Sequence, residues 1–221
     1  MSRVLPILFN ADMVRAILDG RKTVTRRKID IDVSNQFDVE SDRRTIVAYI
    51  NPETGDSYEP TKICRYQPGD ILYVRETWCK GSLDYHEEHY YYRADNNEFP
   101  CKWRPSIHMP KEAARIWLKV TDVRVERLQD ITEEQAVKEG GRNNIGFIHS
   151  PENEYDTLYT AKENFRDNIW NSTIKKPDID RYGWEANPWV WVIEFERCEK
   201  PEENDNIKEI ADFLNERKNG I

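Results

Sequence analysis

The sequence predicts a mixed α+β or β-barrel domain. Three observations carry this: short strand signals interrupted by a few helices, no repeat or low-complexity tract, and a length of 221 residues, that of one domain with insertions. A chain of this length buries roughly 70% of its unfolded surface and needs no metal or disulfide to fold. With 38% hydrophobic residues, 7 Trp and 11 Tyr, it is too rich in core material to be disordered.

In order, VLPILF at 4–9 reads as a buried strand. Asn10 caps a helix with Val14, Ile17 and Leu18 on one face, and Gly20 ends it. Residues 29–66 are polar and irregular apart from TIVAYI and the turn NPETGD, so they read as an inserted hairpin and loop. Pro68-Gly69-Asp70 launches ILYVRETW, in which Leu72, Val74, Glu76 and Trp78 share a face and Glu76 therefore points inward. Residues 90–93 and 116–126 are further strands, and a change of apolar phase in the second predicts a bulge near Thr121 and Asp122. Thr132 and Gln135 form a capping box, opening a helix whose last residue is Glu139 before Gly140. Residues 142–156 read as a surface loop, followed by an amphipathic helix marked by Leu158, Ala161, Phe165 and Ile169. NPWVWVIEF is the clearest strand. One domain is expected over 1–200, with an acidic tail at 201–221 whose Ile207, Ile210, Ala211 and Leu214 predict a docked helix.

The longest apolar stretch, Trp189–Ile193, is too short to cross a bilayer and no secretory segment opens the chain, so a cytoplasmic protein without a membrane partner is expected. Cys64, Cys79, Cys101 and Cys198 lack the spacings of zinc or redox motifs, so four reduced thiols are expected. His86 and His89 have a metal-compatible spacing but no third ligand, and no metal or cofactor is expected. The formal charge of -8 argues against a general nucleic-acid coat. Yet residues 21–28 hold five basic and no acidic residues, and 102–119 hold five basic and one acidic. Two basic segments on an acidic body point to a localised anion site.

In RKTVTRRK, crowded cations lower a lysine pKa, so a partly neutral Lys22 can take a proton from a threonine hydroxyl. The alternative is a solvated basic edge. A regular strand puts Lys22 and Thr25 on opposite faces, so their meeting requires a bend after Gly20. Glu139 faces the negative end of a helix dipole, where it is either exposed or held by a cation. Glu76, on an apolar face, needs a partner, either a substrate edge or a structural arginine. The segment KWRPSIHMP carries Trp103, Arg104, Ser106 and His108 between prolines, suited to stacking a base and gripping a polar edge, or else to packing a connection.

The helix followed by GRKTVTRR, the strand PGDILYVRETW, the ITEEQAVKEG helix and the WVWVIEF strand together resemble an ASCH domain of the PUA-like superfamily. The nearer resemblance is to ASCH proteins of phages and prophages, which carry versions of VRETW, YRAD, WRPSIHMP, LQDITEEQAVKEG and NPWVWVIEF, and it spans residues 4–197. It implies a small β-barrel with helices packed on it and a cleft lined by the basic segment, with insertions near 29–66, 79–115 and 142–156. Small bacterial members hydrolyse N4-acetylcytidine with a Lys, a Thr and a Glu, which match Lys22, Thr25 and Glu139. The implied activity is removal of an acyl group from an N4-acylated cytidine or related pyrimidine nucleoside. Thr25 is the implied nucleophile, Lys22 the base and Glu139 its orienting carboxylate. Backbone amides after Gly20, or Arg21 and Arg26, would stabilise the oxyanion, and Glu76, Trp103, Arg104, Ser106 and His108 would bind the base. The alternatives are a binding module for RNA or a modified nucleotide, a ribonuclease, or a structural phage protein. The expected partner is a nucleoside, nucleotide or single-stranded RNA, and the expected state a monomer, with a homodimer as alternative.

Overall fold

The computed structural model describes residues 2–29, 38–42, 45–58, 62–82, 88–95, 100–143, 147–148 and 157–202. The expected tail helix and His86 lie outside them. The architecture is mixed α+β. Strand β1 (Val4–Leu8) leads into helix α1 (Ala11–Leu18), capped by Asn10, whose side chain accepts from the Met13 amide, and then β2 (Val24–Lys28). The insertion forms a small sheet of four strands, β3 (Asp38–Asp42), β4 (Thr45–Ile50), β5 (Ser57–Tyr58) and β6 (Lys62–Ile63). There follow β7 (Ile71–Arg75), the β8 (Trp78–Gly81) and β9 (His89–Tyr92) hairpin, and the long β10 (Trp117–Arg127). Helix α2 (Glu133–Lys138) carries the expected capping box. After the short pair β11 (Phe147–Ile148) and β12 (Thr157–Leu158), the expected amphipathic helix is α3 (Ala161–Asn164), a π-helix at Phe165–Trp170 and α4 (Asn171–Thr173). Helix α5 (Ile179–Tyr182) precedes β13 (Trp189–Cys198).

The main sheet runs β1-β7-β10-β13-β2, with β1 parallel to β7 and the other pairs antiparallel. Its register slips between Val120 and Asp122, where the change of phase predicted a bulge. The expected barrel is not closed among the described residues: β1 and β2 form the two edges of an open path. Only a side chain bridges them there, Arg27 donating to the Leu8 carbonyl at 2.8 Å.

The period-2 alternation of β13 splits the core into two layers. Trp191, Ile193 and Phe195 face a cluster that includes Met13, Val14 and Ile17 of α1, together with Phe9 and Ile29. Val190 and Val192 face the opposite layer with Ala136 of α2, Ala161, Phe165 and Trp170. Strand β2 alternates likewise. Val24 belongs to the second layer, and Ile29 just beyond the strand to the first, so Thr25 and Arg27 face α1 while Arg26 faces α2. At the first edge of the sheet, Asp70 ties down the chain start by accepting from Arg3 Nε at 3.0 Å.

The expectation of four reduced thiols fails at two positions. Cys79 on β8 and Cys101 form a disulfide, while Cys64 and Cys198 are free. Their separation of 22 residues shows no motif, because a pairing across a hairpin is made by tertiary approach. No described helix is long and apolar enough to cross a membrane.

Candidate functional site

The site forms at the free edge of β2, where both layers can be reached from one place. Gly20 adopts φ of 75° and turns the chain, and the Arg21 and Lys22 amides both donate to the Ala16 carbonyl at 2.9 Å. This is the bend the sequence requires. The Thr23 amide then donates to the Lys138 carbonyl at 2.9 Å, fastening the segment to the end of α2. Lys22 lies just before the strand begins, so its side chain runs along the sheet margin.

Its burial is the surprise for a residue in so basic a run. Lys22 is 1% exposed and Glu139 1%. Lys22 Nζ donates to Glu139 Oε2 at 2.7 Å, to the Glu139 carbonyl at 2.8 Å and to the Val24 carbonyl at 2.7 Å. Arg26 reaches the same carboxylate, Nη1 donating to Oε1 at 3.3 Å, while Nη2 donates to Glu126 and Gln135 at 2.9 Å each. The solvated-edge alternative therefore fails for Lys22 and Arg26, since both cations are buried and paired. Glu139, the cap of α2, is held by cations at the negative end of its dipole. Burial pushes the Lys22 ammonium below the ordinary lysine range against the pull of Glu139, and Arg27 and Arg26 push the same way as burial.

Thr25 is buried in β2 opposite Ile193, and its hydroxyl makes no hydrogen bond among the described residues. It shares a strand face with Arg27, whose guanidinium lies 5.2 Å from the Phe9 ring centre; Lys22 Nζ lies 5.6 Å from the same centre. Among the described residues no hydrogen bond joins Lys22 to Thr25. The backbone amides of residues 21–23, expected as oxyanion donors, are all spent on carbonyls. That leaves the Arg21 side chain.

Beside the ion pair lies a cavity of about 490 Å³, lined from α1 by Asn10, Asp12 and Arg15, by Arg21 and Glu139, and beyond α2 by Arg142, Asn164 and Asn168. Arg21 bridges its rim, donating to the Gly140 carbonyl at 3.2 Å and to Asp19 at 3.0 Å. At Gly141 the chain threads between α2 and α3 so closely that a Cβ would stand 2.6 Å from the Ala136 carbonyl oxygen and 2.9 Å from that of Ala161. Sequence reasoning missed Asn10 as a lining residue because it already explained the cap. It missed Asn164 and Asn168, whose i,i+4 spacing puts them on one helix face, because the helix was read only for its apolar positions.

Of the expected site residues Arg21 and Glu139 line this cavity; Lys22, Thr25, Arg26, Glu76, Trp103, Arg104, Ser106 and His108 do not. Glu76 is 1% exposed and accepts from Arg115 Nε at 2.9 Å and Nη2 at 3.1 Å, so the structural-arginine alternative describes it. Arg115 is further held by Asp95 and lies 4.0 Å from the Tyr92 ring centre. Arg104 is bridged through its backbone to Trp78 and lies over the Trp78 ring at 5.2 Å, while Arg93 lies 5.5 Å from the Trp103 ring centre. Ser106 and His108 bound a short 3₁₀ turn, with His108 exposed. This basic and aromatic region meets the cavity wall at Arg15, which donates to the Ala94 carbonyl at 3.0 Å.

Among the described residues no group of three or more His, Cys, Asp or Glu could hold a metal ion. No protein-family model matches the chain, and no curated protein or solved structure matches it either.

Proposed function

We propose that the chain is an ASCH-type protein of the PUA-like class, acting as an amidohydrolase that removes an acyl group from an N4-acylated cytidine or related pyrimidine nucleoside. The observation that carries the reading is the buried Lys22–Glu139 pair, 2.7 Å apart, with Glu139 opening onto a cavity of small-ligand size. A lysine shifted downward by burial is suited to proton transfer, and a threonine hydroxyl without a structural bond is free to react.

In this reading the substrate's acyl carbonyl approaches Thr25. Thr25 Oγ1 bonds to the carbonyl carbon as its proton passes to neutral Lys22 Nζ. The tetrahedral intermediate collapses, Lys22 returns the proton to N4, and the C–N bond breaks to release cytidine. Lys22 then takes a proton from water as the water oxygen bonds to the acyl carbon of the Thr25 ester. It returns the proton to Thr25 Oγ1 as the C–Oγ1 bond breaks, releasing the carboxylic acid, which ionises in solvent. Lys22 must lose one of its three bonds to act as base, and the one to the Val24 carbonyl adjoins Thr25. For the oxyanion this reading uses the Arg21 side chain, which must release Asp19 or the Gly140 carbonyl to serve.

The test is release of cytidine from N4-acetylcytidine by purified protein, with Lys22→Ala, Thr25→Val and Glu139→Gln as comparisons. No release by the unaltered protein overturns the reading. A binding module without chemistry is favoured by one observation, that all three Lys22 N–H bonds are occupied, as in a structural ammonium. Such a module keeps its nucleotide affinity in Thr25→Val and shows no turnover.

A further inference from the structure

Several features of the cavity have no part in the amide chemistry. Of its three arginines, Arg15 is committed to Asp12 and the Ala94 carbonyl, and Arg21 to Asp19 and the Gly140 carbonyl. Arg142 is different. It is exposed, and its guanidinium has no partner among the described residues, yet its position is fixed because its amide donates to Asn164 Oδ1 at 3.1 Å. Asn164 is 7% exposed and lines the cavity, and its Nδ2 group has no partner among the described residues. Because Asn164 lines the cavity, that amide group is available to donate to a ligand there.

The electrostatic balance has the same sign. Glu139 is matched by Lys22 and Arg26, and Asp12 by Arg15, so Arg142 adds positive charge that nothing in the wall neutralises. The π-helix at Phe165–Trp170 adds a donor-bearing side chain on the same wall, Asn168. Hydrogen bonding from i to i+5 widens the turn, and segments of this kind are frequent at functional sites. A volume of about 490 Å³ accommodates a single small ligand, whereas a strand needs a groove.

We propose that the cavity takes its pyrimidine as a nucleoside monophosphate, with Arg142 binding the phosphate and Asn164 fixing Arg142 in place and donating to the ligand. This deepens the amidohydrolase reading and rests on it for the identity of the base. An arginine fork fits a phosphate bidentately, and Arg142 stands across the cavity from neither carboxylate's unpaired charge, since both are matched.

The experiment measures binding of cytidine and of CMP to the full chain by calorimetry, beside turnover of N4-acetylcytidine and N4-acetyl-CMP. CMP is expected to bind roughly tenfold to a hundredfold more tightly than cytidine, the range of a charge-assisted hydrogen bond, with the ratio shrinking as salt rises. Arg142→Gln brings the ratio close to one, and Arg142→Lys keeps part of it. Equal binding of CMP and cytidine with acetylcytidine still hydrolysed overturns the phosphate site and leaves the amidohydrolase standing. Arg142-dependent preference for CMP with neither acyl compound hydrolysed does the reverse. A CMP preference unchanged in Arg142→Gln, tighter binding of a cytidine-containing oligonucleotide than of CMP, or binding of neither ligand each overturns the proposal.

Discussion

Two of the buried carboxylates that pair with arginine, Glu139 and Glu76, stand in contrasting surroundings. At the edge of β2, Glu139 is enclosed by Lys22 and Arg26 and lines a cavity. Beyond β7, Glu76 is gripped by Arg115, which Asp95 and Tyr92 hold from outside. Burial pushes the Glu76 carboxyl up even against Arg115, so its ionised form gains little from the pairing. The contrast teaches that a buried ion pair marks a site only when it has more cation than its carboxylate needs and somewhere for a ligand to sit.

The largest expected effect is at Glu139. Glu139→Ala strands two buried cations and is expected to cost about 3–5 kcal/mol in urea unfolding. Removing the Cys79–Cys101 link with paired serines should cost roughly 2–4 kcal/mol, from a loop of 22 residues, and leave ligand binding at the cavity unchanged. A fall in CMP binding there would break the separation of the two regions. Glu76→Ala, whose Arg115 retains Asp95 and partial solvent, should cost about 1–2 kcal/mol; a loss equal to that at Glu139 would erase the contrast. Smallest in stability is Thr25→Val, at under about 1 kcal/mol because the hydroxyl makes no bond, although turnover should disappear. Finally, activity should rise with pH through the lowered Lys22 value, with a midpoint below 10.5, because the neutral amine is the base. Across the same interval the unfolded chain holds the proton and the folded one does not, so stability rises too.

Local signals were legible where local chemistry decides them. The cap at Asn10, the box at Thr132 and Gln135, the slip near Thr121 and the inward turn of Glu76 all follow from neighbours within a few residues. The burial of Lys22 does not. In RKTVTRRK the composition speaks for water, and only a carboxylate 117 positions away makes burial tolerable. The resemblance placed Glu139 beside Lys22, but it directed attention to Trp103, Arg104 and His108 for the base, and these belong to the second region. The disulfide and Arg142 were silent for a similar reason: Cys101 and Asn164, which fix them, lie 22 residues along the chain in each case.

Gly141 sets a limit on how this protein can diversify. With no room for even a methyl group between two helix carbonyls, the distance from the asparagine wall to Glu139 is dictated by main chain alone. Under the proposed amidohydrolase reading, exchanges at Arg142 or Asn168 are expected to change ligand preference without moving Glu139. Any larger residue at 141 would shift both at once, so ligand choice and chemistry are expected to drift independently everywhere except there.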